Sequence, residues 1–277
     1  MQTKPAPALS QQIGRGFLYL AAALIALYIL IPIYLVTVMA FSPRDVIYAY
    51  PKPFIPRSLT VETVSFFLKS YGILDSIKNS VIVAFITLGI SLLIGAPAGY
   101  ALARYIFPGK DTYRIMILST RAFPVVILSI PLITTFIHWG LDDTVLGVAL
   151  LHTAMALPTT ILVSSSVFIG VSKDLEEAAM TMGCTRLQAF AKVALPLSLP
   201  GLAASAIFTF VLSWNEVFAA AILTVQNQTL PARMMVQLNQ SPAPFRFAGG
   251  FFILVPALIY MLFVRRYLFS LWGVKLR

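Results

Sequence analysis

Two short stretches of this chain combine residue types that can do chemistry at spacings that bring them together. In the first, Ser205, Thr209, Ser213 and Glu216 follow at steps of four, four and three residues. On a helix those steps place three hydroxyls and a carboxylate on one face. Such a face exchanges hydrogen bonds with a hydroxylated solute, and Trp214 and Asn215 beside it add a ring and an amide. In the second, residues 171–195, the acids Asp174, Glu176 and Glu177 precede Gly183 and then Arg186 and Lys192. Elsewhere the reactive groups are isolated. His138 and His152 sit alone in apolar runs and read as packed, hydrogen-bonded histidines rather than metal ligands. The lone Cys184 forms no disulfide framework and reads as a small apolar residue. Gly109-Lys110 is followed by Asp111, so no G-x-x-x-x-G-K-[ST] phosphate loop is present. No convergent set of acids, bases or metal ligands points to an enzyme, and any ATP must be bound by another polypeptide.

The elements that position these groups follow from composition. Hydrophobic residues make up 59% of the 277 and charged residues 11%, against roughly a quarter charged in a soluble domain. That leaves too little polar surface to cover the chain in water. The apolar residues form runs of about 20, the length that spans a bilayer, without the alternation of barrel strands. In lipid such runs are helices. Six spans are expected at about 17–41, 77–103, 113–137, 144–169, 197–223 and 248–270. The fold class is therefore all-α, a polytopic membrane bundle of about six helices forming a single domain over residues 1–277. The first run is too long for a signal-peptide core of about 7–15 apolar residues and reads as an uncleaved helix.

The net charge of +10 does not point to nucleic acid, because the basic residues flank the apolar runs. Twelve of the 20 lie at one set of ends (among them Lys4, Arg15, Arg104, Lys110, Arg114, Lys173, Arg186 and Lys192), seven at the other, with Arg121 inside the third span. Positive residues favour the cytoplasmic side, so both termini, tails 1–16 and 271–277 included, and the 171–195 loop are expected in the cytoplasm. Pro97, Pro124, Pro131, Pro158 and Pro256 each remove a backbone donor within or near a span. Gly95 and Gly99 make a small-xxx-small pattern that permits close helix contact.

The 171–195 loop is longer than the 2–8 residues that connect bundle helices. It reads as a short helix, a turn at Gly183 and a second amphipathic helix leading to Pro196 and Pro200. A segment of this kind is expected to dock on a partner. Its residues also carry a family signature. Glu177-Ala178-Ala179, three residues, Gly183, nine residues, then Val193-Ala194-Leu195-Pro196 resembles the E-A-A loop of ATP-binding-cassette importer permeases, with Val for the usual Ile. Asn79-Ser80, Tyr100-Ala101-Leu102-Ala103-Arg104, Phe107-Pro108-Gly109-Lys110 and Ser213-Trp214-Asn215-Glu216 are similar to the maltose-type sugar branch. The C-terminus departs from that branch, since Trp272-Gly273-Val274-Lys275 is followed by Leu276-Arg277.

The resemblance implies a multi-pass permease of the bacterial inner membrane that imports a sugar, glycoside or polyol by alternating access. It implies that Glu177, Ala178, Ala179, Gly183, Leu195 and Pro196 couple the chain to an ATPase. The implied partners are a second, related permease, two ATPase subunits that hold ATP and magnesium, and an extracytoplasmic solute-binding protein. A permease for a non-sugar solute stays open, because the coupling loop is shared across the superfamily. An ion-coupled transporter would be expected to carry more intramembrane ionisable residues and often internal repeats. Two readings of the fifth-span stripe remain: it lines the solute path, or its hydroxyls bond within the bundle while Glu216 pairs internally, with Arg121 one candidate partner.

Overall fold

The computed structural model describes residues 9–56 and 58–271, with side chains described over 15–56 and 58–264. The Trp272 to Arg277 tail and most of the N-terminal tail lie outside the described residues. Among the described residues the regular elements are helices: α1 Leu9–Ala40, α2 Arg44–Tyr48, α3 Glu62–Lys69, α4 Ile73–Arg104, α5 Lys110–Ser119, α6 Ser129–His138, α7 Val145–Ile169, α8 Lys173–Thr181, α9 Arg186–Ala189, α10 Leu195–Asn215, α11 Phe218–Leu223, α12 Leu230–Gln237 and α13 Ala243–Leu271. A 3₁₀ turn, Thr120–Ala122, follows α5, and a π turn, Phe190–Ala194, joins α9 to α10 without a break. Among the described residues, five stretches are long and apolar enough to cross a membrane: in α1, α4, α7, α13, and from Arg186 to Asn215.

Four of the expected spans are thus continuous helices, and two are not. The third is split into α5 and α6, because Pro124 forces Phe123 out of the helical region (φ −83°, ψ 114°) and removes a backbone donor. The fifth stops at Asn215. Glu216 is extended (φ −70°, ψ 132°), and its carboxylate instead accepts from the Ala219 and Ala220 amides at 2.9 and 3.1 Å, starting α11. Pro97, Pro158 and Pro256 lie inside helices that continue through them. Connections read as plain loops also contain short helices, α2 and α3 in one and α12 in another.

The chain divides into two compact units, Met1–Leu68 with Pro242–Leu254, and Lys69–Ser241 with Val255–Arg277. In the first, Tyr34 donates to the Phe54 carbonyl and Thr63 to that of Ser42, both at 3.0 Å. Phe67 meets the rings of Phe245 and Phe252. Only 6% of the most apolar stretch of α1 is buried; its Phe17, Tyr19 and Tyr28 face outward, as they would toward lipid.

The second unit is built on α4, α7 and α10. Backbones approach closely where glycine allows it. A Cβ at Gly95 would lie 2.6 Å from Thr160 Cγ2 of α7, and one at Gly99 2.6 Å from Ser164 Cβ and 2.7 Å from the Ser165 amide nitrogen. From the other side, Gly201 of α10 receives Val167 of α7. The small-xxx-small pattern of α4 is therefore a contact surface. Ala96, Phe168, Ala194 and Leu202 pack at one end of this unit, and Ala84, Phe210 and Trp214 farther along.

Candidate functional site

The 171–195 loop is a helix–turn–helix whose geometry is written into its sequence. Ser172 caps α8, its hydroxyl accepting from the Asp174 amide at 3.3 Å, with Asp174 and Glu176 in the first turn. The end of α8 is a Schellman arrangement. The Cys184 amide donates to the Ala179 carbonyl and the Gly183 amide to that of Met180, both at 3.0 Å, with Gly183 at φ +94°. Thr185 and Gln188 then form a reciprocal capping box on α9, at 2.9 and 3.3 Å.

One acid fixes this loop to the bundle. Glu176 and Arg104 are buried, with side chains 6% and 8% exposed. Oε1 of Glu176 accepts from Arg104 Nε at 2.7 Å and lies 2.6 Å from Nη2, and Oε2 accepts from the Tyr100 hydroxyl at 2.5 Å. Arg104 also donates to the Val171 carbonyl at 2.8 Å, and the Tyr100 ring packs edge-on against Phe168 and tilted against Phe190. The last turn of α4 is thus clamped to the first turn of α8. In the sequence Glu176 is one of three neighbouring acids, Asp174, Glu176 and Glu177, and its local spacing does not mark Arg104 as its partner. The available signal was Tyr100 and Arg104, four residues apart on one face of α4, with an acid in the docking loop.

With Glu176 turned inward, Glu177 and Ala178 are exposed, Ala179 is buried and Leu195 is half-buried. Gly183 and Pro196 are also exposed, as are the large apolar side chains of Met182 and Leu187. A small cavity of about 180 Å³ lies beside the clamp, lined by Lys173, Glu177 and Arg186 among others.

The fifth-span stripe faces inward. Ser205, Thr209 and Ser213 are all buried. Thr209 bonds to Thr160 of α7 at 3.0 Å. Ser213 meets His152 Nδ1 at 2.9 Å and Thr87 of α4 at 3.4 Å. The buried Ser205 hydroxyl has no partner among the described residues. Glu216 is paired with His152, whose Nε2 lies 3.1 Å from Oε2. A carboxylate only accepts, so Nε2 carries the proton. Arg121 is therefore not the partner of Glu216; its side chain is exposed on the 3₁₀ turn of the broken third span. Trp214 is buried in a parallel stack with Phe210, which stacks in turn on Tyr260. Asn215, which donates to the Val211 carbonyl, is exposed.

His152→Ala is expected to lower the thermal midpoint of the detergent-purified chain more than Glu216→Gln. Removing the fully buried His152 ring leaves the Glu216 carboxylate and the Ser213 hydroxyl without that partner, at about 1–3 kcal/mol for each buried group left unsatisfied. The side-chain amide introduced by Glu216→Gln, by contrast, keeps a carbonyl oxygen that still accepts from the Ala219 and Ala220 amides. A midpoint for His152→Ala equal to that of the unaltered chain would show that the pair does not hold α7 to the end of α10.

Two further residues order the segment around 224–233. Asp143, at φ +48°, accepts from the amides of Val225, Gln226 and Asn227 at 2.9–3.0 Å. The buried Arg233 guanidinium donates to Ser76 at 2.6 Å and to the Tyr71 and Gln226 carbonyls at 3.4 and 3.3 Å. In the sequence Arg233 is simply one of the seven basic residues at the second set of ends.

Residues 91–270 match the family described as the binding-protein-dependent transport system inner membrane component, and the chain belongs to that family. It is 30% identical over 245 residues to the trehalose transport system permease protein SugB of Mycobacterium tuberculosis, covering 86% of this chain and 89% of that one. It is 29% identical to the diacetylchitobiose uptake system permease protein DasC of Streptomyces coelicolor, covering 79% and 80%. A molybdate/tungstate transport system permease protein, WtpB of Thermococcus kodakarensis, is 30% identical over 67% of this chain and 75% of its own. The fold matches a chain of a bacterial ABC transporter that imports the acidic polysaccharide alginate, with a TM-score of 0.78 at 21% identity, covering 95% of this chain and 99% of that one.

Proposed function

We propose that this chain is one of two permease subunits of an ATP-driven importer that takes a carbohydrate from an extracytoplasmic binding protein. The observation that carries this reading is the α8–α9 segment: it is clamped to α4 through Glu176 and capped at both helix starts, yet presents Glu177, Ala178, Met182 and Leu187 outward. A rigid, partly apolar projection of this kind fits the seat of a separate ATPase subunit, which would hold ATP and magnesium. Both chain termini and this segment then lie in the cytoplasm, as the distribution of basic residues favours. The relatives named for trehalose and diacetylchitobiose support a sugar as the solute. A non-sugar solute is the second reading, and the molybdate/tungstate relative favours it.

In this reading the Glu177, Ala178, Ala179 and Gly183 surface passes ATPase closure to the helices, while Leu195 and Pro196 start the span that carries it on. The inward-facing Ser205, Thr209, Ser213 and Glu216 shape that span from within, and Asn215 is the member of the set open to solute.

Co-purification with the products of neighbouring reading frames tests the reading. Two ATPase subunits and a second permease are expected with the unaltered chain. Glu177→Lys and Gly183→Asp are expected to break assembly or the stimulation of ATPase by the binding protein. At position 183 the left-handed backbone alone costs a side chain about 1–2 kcal/mol. A chain that purifies alone and supports ion-coupled uptake in vesicles without ATP would overturn the proposal. Ligand screening of the co-purified binding protein separates sugar from oxyanion.

A further inference from the structure

The broken third span places a cation and irregular backbone at a depth where lipid tolerates neither. α5 opens on Lys110, Asp111 and Arg114, charges that belong at the headgroups. Arg121 lies seven residues beyond Arg114, on the order of 10 Å deeper. On the far side, α6 leads to Trp139, which is 66% exposed and suits the opposite interface. Arg121 and the non-helical residues 123–128 therefore sit between the two interfaces. Arg121 is exposed and has no ion pair or hydrogen bond among the described residues, and the Val125 and Val126 amides have no acceptor among them. A groove of about 650 Å³ opens here, with Arg121, Thr120 and Phe123 on one wall and Met155 and Pro158 of α7 on the other. A cleft of that size is in the range that takes a small ligand. Free backbone groups at membrane depth persist where they line a water-filled cavity or are covered by protein, and an intramembrane cation marks a solute or ion pathway.

We propose that the break between α5 and α6 is the solute-contacting surface this chain contributes to the translocation path, with Arg121 donating hydrogen bonds to the hydroxyl or carboxylate oxygens of the passing solute. The proposal rests on the importer reading above. It moves the contact surface from the span-five stripe, whose Thr209 and Ser213 hydroxyls bond to neighbouring helices, to a segment whose Arg121 guanidinium and Val125 and Val126 amides have no partner among the described residues. A planar guanidinium with five N–H groups suits a solute dense in acceptor oxygens. Phe123 at its side offers the apolar face that a sugar ring also needs.

The test uses the complete transporter, permease pair with ATPase subunits and binding protein, in proteoliposomes. Arg121→Cys in a Cys184→Ser background is expected to react with the charged, impermeant reagent MTSET from the ATPase side. Trapping with ATP and vanadate is expected to slow that reaction at least tenfold. For solute contact, the sugar eluted from the purified binding protein is identified by mass spectrometry and its uptake measured. Arg121→Lys is expected to retain uptake within threefold and Arg121→Gln to lower it at least fivefold, with the assembled complex recovered in equal yield. Labelling of Arg121→Cys by a lipid-soluble maleimide but not by MTSET would place the residue against lipid. Release of the second permease by Arg121→Glu, with Arg121→Cys inert to both reagents, would make it a subunit contact. Uptake by Arg121→Gln equal to that of the unaltered chain would remove the donor role. Each of these overturns the proposal while the unaltered chain still assembles with its ATPase subunits, whereas failure of the unaltered chain to retain ATPase subunits overturns both readings.

Discussion

Glu176→Gln in the fully assembled transporter is expected to cut solute uptake at least tenfold while the ATPase subunits still hydrolyse ATP. The substitution keeps the shape of the side chain and removes its charge, leaving the Arg104 guanidinium 8% exposed without a counter-ion. Removing one partner of a buried pair destabilises by about 3–5 kcal/mol, far more than an exposed pair is worth. That cost falls on the contact between α8 and α4 rather than on the whole bundle, since α4 is also packed along its length against α7. The loop is expected to stay attached to its ATPase and lose its grip on the membrane helices. Arg104→Gln is expected to behave alike. The double variant, which leaves no buried charge, is expected to recover part of the loss, so a double-mutant cycle on the thermal midpoint gives a coupling of about 2 kcal/mol or more. Wild-type uptake by Glu176→Gln would show that the clamp does not link the loop to the bundle.

The second large effect is expected at Gly99. A methyl group there would lie 2.6 Å from Ser164 Cβ, 2.7 Å from the Ser165 amide and 2.8 Å from the Ile161 carbonyl oxygen. Two of those three neighbours are backbone, which no rotamer change moves aside. Gly99→Ala must displace α7, at a cost of about 1–3 kcal/mol for overpacking and more for a larger side chain; Gly99→Val is expected to abolish accumulation of folded protein in the membrane. Gly89, ten residues earlier on α4, has nothing within 4 Å of its would-be Cβ. Gly89→Ala is therefore expected to be neutral, or stabilising by up to about 1 kcal/mol through helix propensity. Monodispersity and thermal midpoint in detergent decide it: equal behaviour of the two alanine variants would refute close α4–α7 packing through Gly99.

Hydrophobic run length made the helical bundle legible, because in a bilayer composition leaves one backbone solution. The caps of α8 and α9 were legible for a different reason: Ser172, Gly183, Thr185 and Gln188 satisfy groups a few residues away. The interruptions were harder. Pro124 breaks its span, while Pro97 and Pro158, equally visible in the sequence, do not, since neighbouring helices decide whether a lost donor is tolerated. The Glu216 carboxylate pairs with His152, 64 residues away, and spacing carries no information about such a pair. Glu176 stands in the first turn of α8 as its sequence suggests, but its partner was hidden for the same reason. Its neighbours Asp174 and Glu177 have similar local propensities, and only the position of Arg104 in space separates the buried acid from the exposed ones.

The uninterrupted passage from α9 through the π turn into α10 makes a single rod of 30 residues, Arg186–Asn215, on the order of 45 Å long. A rod of that length is a lever. Tilting its foot by about 10° sweeps its far end through roughly 8 Å, and that far end carries Ser213 and Asn215 and stops where Glu216 turns the chain. The π turn, whose looser winding commonly marks functional positions in helices, sits near the foot, where the rod leaves the docking segment. A small rocking motion at the α8–α9 surface would thus arrive at the other end of the span as a displacement about the width of a sugar ring.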